Sequence, residues 1–161
     1  MTTKETFEGL AAKFPQFDLG YLEGKDPAVL VKGENLVDLA QHLREEQDYD
    51  YCASITGVDY EDRFEVVYHL YSTTRKGGPV ILKVHATRDN PEVPSVVSIW
   101  PGADWQEREV WDLMGIRFLG HPDLRRILMW EGFQGYPLRK DFPGMKDEYT
   151  FSQTSGDREN E

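Results

Sequence analysis

The chain has 161 residues, enough for one domain with its own core and no need of disulfides or metals. A net charge of −11 argues against a nucleic-acid surface, and 39% hydrophobic residues argue against disorder. The single cysteine, Cys52, cannot close an internal disulfide, and alone it cannot hold an iron–sulfur cluster or a Cys-based zinc ion. It reads as a small core residue, in keeping with a reducing, intracellular setting.

Met1 to Glu5 carry no apolar stretch of the signal-peptide kind, and no window reaches the ~20 apolar residues of a membrane helix. Membrane attachment is therefore expected only through a partner. Phe7, Leu10, Ala11 and Phe14 recur at helical spacing, which predicts a helix over 3–14, capped by Thr2 or Thr3 and ended by Pro15. A weak strand is expected near Phe17–Leu22 and another at Ala28–Lys32, which Gly33 breaks. Leu36, Leu39, Ala40 and Leu43 predict a second helix to about Glu46. Strands are expected at Tyr51–Val58, Arg63–Ser72 and Pro79–Arg88, the last two joined by the loop Arg75-Lys76-Gly77-Gly78. Val93–Trp100 is a further apolar run closed by Pro101-Gly102.

A third helix is expected over 105–114, with Asp104 and Glu107 at capping-box spacing and Gly115 just past its end. Val110, Trp111, Leu113 and Met114 share one predicted arc of it; Arg108, Glu109 and Asp112 share the opposite arc. Arg108 and Asp112 are spaced for an i, i+4 pair. Glu109 and Asp112 are like charges one turn apart and call for a further cation, which Arg117, Arg125 or Arg126 can supply. Beyond residue 119, Gly120, Pro122, Gly132, Gly135, Pro137, Pro143 and Gly144 deny the chain a regular element, and from Lys146 it is expected to be polar, acidic and mobile.

These elements specify an α+β fold: an antiparallel or mixed sheet with two to three amphipathic helices, followed by an extended irregular tail. The expected division is a domain over 1–119 and a partner-docking tail over 120–161. Charge is uneven across it. Arg117 to Lys140 hold five basic and two acidic residues, a charge of +3 that leaves −14 for the rest. An isolated basic stretch on an acidic chain points to docking, through Arg125, Arg126, Arg139, Lys140 and the adjoining Asp141.

Motifs for chemistry are missing: there is no GxGxxG, GxxxxGK[ST], CxxC or GxSxG. A hairpin centred on Gly77 would set His69 opposite His85 on the outer face, with Glu65 the one obvious third ligand; cross-strand packing is the preferred reading. His121 and Asp123 flank Pro122 and lack a nucleophile, so a turn braced by hydrogen bonds is expected there, not acid–base catalysis.

The run Glu107-Arg108-Glu109, then Asp112, Gly115-Ile116, Gly120-His121-Pro122, Leu124, Arg126 and Ile127-Leu128, resembles the signature of one family. Pro137-Leu138-Arg139-Lys140-Asp141 resembles its downstream block, and Thr56-Gly57-Val58-Asp59-Tyr60, the strand from Phe64 to Leu70, and Pro94-Ser95-Val96-Val97 with Trp100 extend the likeness over about residues 28–143. The family is that of the C subunit of NADH:quinone oxidoreductase (respiratory complex I), the homologue of the mitochondrial 30-kDa-type subunit. Met129-Trp130-Glu131-Gly132-Phe133 departs from the Met-Pro-Glu-Asp-Trp common in the family.

The resemblance implies a peripheral-arm subunit with no catalytic residue and no cofactor of its own, in a proton-translocating complex that uses NADH, FMN, iron–sulfur clusters and quinone. It implies packing against the 49-kDa-type protein and neighbouring iron–sulfur subunits, at the cytoplasmic face of the plasma membrane. The same role in a ferredoxin-driven photosynthetic complex or a membrane-bound hydrogenase is the nearest alternative. A stand-alone enzyme using His121 and Asp123, and an RNA-binding module using the basic tail, are more distant ones.

Overall fold

The computed structural model describes residues 2–144. The expected acidic end from Lys146 onward lies outside the described residues. Helix α1 (Thr3–Lys13) opens on a complete capping box: Thr2 accepts from the Glu5 amide and Glu5 accepts from the Thr2 amide. Pro15 stops α1 and starts a short 3-10 turn, Pro15–Phe17. Strands β1 (Gly20–Leu22) and β2 (Ala28–Leu30) follow, then α2 (Gly33–Glu46), β3 (Tyr51–Asp59), β4 (Arg63–Tyr71) and β5 (Val80–Thr87). The weak first strand is thus shorter than its apolar run, because Phe17 goes to the 3-10 turn and into the core.

The five strands form one sheet in the order β1-β2-β5-β4-β3, antiparallel except for the parallel pair β2–β5. The mixed α+β architecture is the expected one. Leu10 of α1 and Leu36, Leu39 and Leu43 of α2 join Phe64, Val66, Tyr68, Leu70, Leu82 and Val84 in one core cluster. Each such side chain contributes roughly 1.5–3 kcal/mol of burial.

The β4–β5 hairpin corrects the predicted register. His69 stands opposite Ile81, and His85 opposite Glu65, so the turn centres on Arg75 and not Gly77. Aromatic Tyr68 and Phe64 fix this alignment on the core side, opposite Leu82 and Ala86. His69 instead shares a hydrogen bond with Ser54 at 3.0 Å, and His85 with Glu65 at 3.0 Å.

Of the Val93–Trp100 run only β6 (Glu92–Pro94) is strand; it pairs in parallel with β7 (Arg117–Leu119), an element the sequence reading did not mark. The run then turns so that Trp100 donates its indole N–H to the Tyr49 carbonyl at 3.0 Å. Between β6 and β7 lies α3 (Ala103–Met114), which packs against β3.

Candidate functional site

Helix α3 begins earlier than the capping pattern predicts, at Ala103, with Gly102 as its uncapped N-cap. Glu107 is not a cap. It is fully buried, and its carboxylate accepts from Ser95 Oγ at 2.6 Å and the Val96 amide at 2.7 Å. Burial pushes its pKa up to about 7, against the two hydrogen bonds that favour the charge. Burial likewise pushes the Cys52 thiol up to about 12.

The predicted arcs of α3 are also corrected. Ala103, Glu107, Val110 and Met114 face the core, Arg108 and Asp112 are buried as well, and Trp111 and Leu113 are only half-buried. The reason is the tail, which covers the polar side of the helix. Asp112 is fully buried, and one of its oxygens accepts from three consecutive amides: Ile127 at 3.0 Å, Leu128 at 2.7 Å and Met129 at 2.9 Å. Its other oxygen accepts from Arg126 at 2.8 Å. Burial alone would raise its pKa; the three amides and Arg126 outweigh that and hold it below the ordinary value.

Arg126 therefore supplies a cation to Asp112, one member of the like-charged pair, and not to Glu109. It also donates to the Asp112 and Gly135 carbonyls and sits among the rings of Trp111, Phe133 and Tyr136. Arg108 does not pair with Asp112 as its spacing predicted. It turns back toward Asp104 at 3.7 Å, donates to the Arg125 carbonyl and lies over Trp105.

The expected braced turn forms at residues 121–123. The Asp123 amide donates to His121 Nδ1, so the ring proton lies on Nε2, which donates to the Asp104 carbonyl at 3.2 Å. The side chain of His121 is buried, Pro122 is exposed, and Gly120 has φ +81°. Arg125 points outward, paired with Asp123 at 2.8 Å.

Further along, Arg139 Nε donates to the Met114 carbonyl at 2.6 Å, and its guanidinium lies over Phe64 and Tyr136. Gly115 makes this approach possible. It ends α3 at φ +72°, and a Cβ there would stand 2.5 Å from Tyr136 and 2.6 Å from Arg139. Asp59 of β3 accepts from the Lys140 amide at 2.8 Å and from Arg88, which also holds Asp141 at 3.1 Å. Despite its burial, these donors keep the Asp59 carboxyl below its usual range.

Of the five residues read as docking groups, Arg126 and Arg139 are thus turned onto their own domain, and Asp141 is exposed but held by Arg88. Of the five, only Arg125 and Lys140 extend exposed, positively charged side chains. The expectation that a partner orders most of the tail is revised as well. Its described part is pinned by Asp112, Asp59, Met114 and the buried ring of Phe133. What the pinning leaves outside includes large apolar groups beside the charged ones: Leu128, Trp130 and Leu138 are 55%, 59% and 59% exposed, and Trp105 at the start of α3 is 64% exposed. The sequence reading missed Asp59 and Glu107 as anchors, since neither carries a local spacing signal for a partner far along the chain.

Among the described residues, no group of three or more His, Cys, Asp or Glu is placed to hold a metal ion, and no helix is long and apolar enough to cross a membrane.

Residues 29–148 match the family model described as respiratory-chain NADH dehydrogenase, 30 Kd subunit. The chain is 46% identical over 154 residues to the NADH-quinone oxidoreductase C subunit of Roseiflexus sp. (strain RS-1), covering 91% of this chain and 88% of that one. It is 47% identical over 128 residues to the C subunit of Moorella thermoacetica, covering 78% and 86%. Among solved structures it resembles a trypsin-resistant fragment of Nqo5, with a TM-score of 0.64 at 29% identity over 77% of this chain and 100% of that one. It also resembles a chain of the membrane-bound sulfane sulfur reductase, an archaeal respiratory membrane complex, with a TM-score of 0.72 at 25% identity over 98% and 95%.

Proposed function

Because the chain belongs to the family of the 30 kDa subunit of respiratory-chain NADH dehydrogenase, we propose that it serves as a cofactor-free, non-catalytic subunit of the peripheral arm of a proton-translocating NADH:quinone oxidoreductase. In this reading it docks on the 49-kDa-type protein and neighbouring iron–sulfur subunits and supports assembly of the quinone-reducing core. It reaches the cytoplasmic face of the plasma membrane only through the complex.

One observation carries the docking role. The buried charges of α3 hold an irregular tail in a fixed shape whose outer side shows Leu128, Trp130 and Leu138 to solvent. Large apolar side chains held outward by a fixed backbone are the kind of groups a subunit interface buries. Arg125 with its partner Asp123, and the exposed Lys140, precede and follow these residues in the chain and would select the partner's register.

A tagged chain purified from membranes in mild detergent tests the proposal. Co-purification of flavin and iron–sulfur subunits with NADH-driven quinone reduction is the expected result; a chain recovered alone refutes it. The likeness to the sulfane sulfur reductase chain favours, as a second reading, the same role in a ferredoxin-driven photosynthetic complex or membrane-bound hydrogenase. Identities of 46% and 53% to NADH-quinone oxidoreductase subunits, against 25% to that chain, support the first.

A further inference from the structure

The Glu107–Asp112 stretch of α3 carries four charges, and the chain satisfies three of them internally: Glu107 on Ser95 and Val96, Arg108 on Asp104 and Arg125, Asp112 on Arg126 and the tail. Glu109 is different. It is exposed, and among the described residues it has no hydrogen-bond or ion-pair partner. Arg126 is engaged with Asp112, and Arg139 with the Met114 carbonyl.

Glu109 stands on the lip of an apolar slot of about 120 Å³ between β3 and α3, with Ile55, Gly57, Val110, Leu113, Met114 and Leu138 along its walls. Small-molecule sites begin at roughly 300 Å³, so a nucleotide or flavin does not fit, whereas a single aliphatic side chain does. Among the described residues, the slot borders the free edge of the sheet, since β3 is the last strand. Ile55 turns its amide away from β4, to Gln106 Oε1 at 2.6 Å, and by the alternation of an antiparallel pair Gly57 also turns its amide and carbonyl to the open edge.

Whatever covers the slot must remove water from Glu109, and a desolvated carboxylate needs a cation. A second copy of this chain, with its net charge of −11, is repelled. We propose that the slot between β3 and α3 receives an extended segment of a neighbouring subunit, with an apolar side chain in the slot and an adjacent lysine or arginine paired with Glu109. This rests on the reading of the chain as one component of a larger complex. The segment adds to the edge of β3 through Gly57, the slot sets its register, and Glu109 selects its charge.

The test uses the tagged full chain in the assembled complex, with Glu109→Lys, Glu109→Gln, and a photo-reactive benzoylphenylalanine replacing Leu138. Glu109→Lys is expected to lower recovery of the co-purifying subunits roughly tenfold, and Glu109→Gln less. The melting temperature of the isolated chain is expected to stay within about 2 °C in both. Cross-links from position 138 are expected on a peptide that carries a lysine or arginine next to an apolar residue. Assembly of Glu109→Lys at the unsubstituted level, a melting temperature lowered well beyond that margin, or cross-links confined to peptides without a basic residue overturns the inference. If the unsubstituted chain itself brings down no other subunit, the proposed function falls as well; if it does and Glu109→Lys equals it, only this inference falls.

Discussion

The carboxylate of Asp112 accepts a hydrogen bond from Arg126 at 2.8 Å and three more from the backbone amides of the residues that follow that arginine. One side chain on a helix thus fixes both the direction and the shape of a loop with no secondary structure of its own. Asp112→Asn keeps the volume but removes the charge and one acceptor, leaving Arg126 half-buried without its anion. A loss of about 3 kcal/mol in urea unfolding of the isolated chain is expected. Proteolysis between Arg125 and Lys140 should accelerate in native buffer, because the loop is the part released.

Glu107 and Asp112 lie on one helix and titrate in opposite directions. The Asp112 and Asp59 carboxyls are lowered from the ordinary value of 3.8, so their stabilisation is present above about pH 4 and is lost as pH falls through their folded values. Glu107 is raised from 4.5 to about 7, so its contribution is full below pH 4.5 and is lost as pH rises toward 7. Glu107→Gln imitates the protonated acid. It is expected to match the unsubstituted chain near pH 4.5 and to exceed it at about pH 8 by an amount on the order of 3 kcal/mol. Urea unfolding of both proteins from about pH 4 to 8 measures this, and parallel curves would refute it.

Gly115 serves two constraints at once, a backbone at φ +72° and the close approach of Tyr136 and Arg139. Gly115→Ala is expected to cost at least about 1–2 kcal/mol from the left-handed backbone alone, and more from displacing the ring. Thermal unfolding gives the cost. A second substitution, Tyr136→Ala, isolates the ring's share, since it removes the ring that meets the new methyl but relieves neither the backbone nor the approach of Arg139.

The elements with strong periodicity were legible in the sequence: α1 with its capping threonine, α2, and β3 to β5 fall where apolar spacing puts them. The Asp112–Arg126 pair was legible too, because two like charges one turn apart need a cation and arginines lie close by. The β4–β5 register was not. Both alignments keep the same faces of each strand inward, and only the fit of Phe64 and Tyr68 against Ala86 and Leu82 separates them. The buried face of Glu107 was not legible either, since its partners, Ser95 and Val96, lie on an irregular stretch before the helix. Nor was the inward turn of Arg139. A basic residue amid glycine and proline reads as surface until the ring of Phe64, remote in sequence, is seen beneath it.

Arg139 and Lys140 are neighbours with different work, and the difference can be measured. Arg139 is half-buried, donates to the last carbonyl of α3 and is stacked between Phe64 and Tyr136. Lys140 gives its backbone amide to Asp59, while its side chain stands in solvent. A charge reversal at Arg139 would place a carboxylate against the Met114 carbonyl and over two aromatic faces. Arg139→Glu is therefore expected to lower the stability of the isolated chain by about 2–3 kcal/mol. Lys140→Glu leaves the amide that binds Asp59 in place, so the isolated chain should melt within about 2 °C of the unsubstituted one. If the exposed ammonium steers docking, Lys140→Glu should slow association with the partner subunits, with the difference shrinking as salt is raised. Differential scanning calorimetry of the two variants, followed by reconstitution into membranes lacking this chain at low and high salt, tests both statements. Equal melting temperatures for the two variants would show that Arg139 does not hold the tail. Reconstitution of Lys140→Glu at the unsubstituted rate in low salt would remove that side chain from the docking surface.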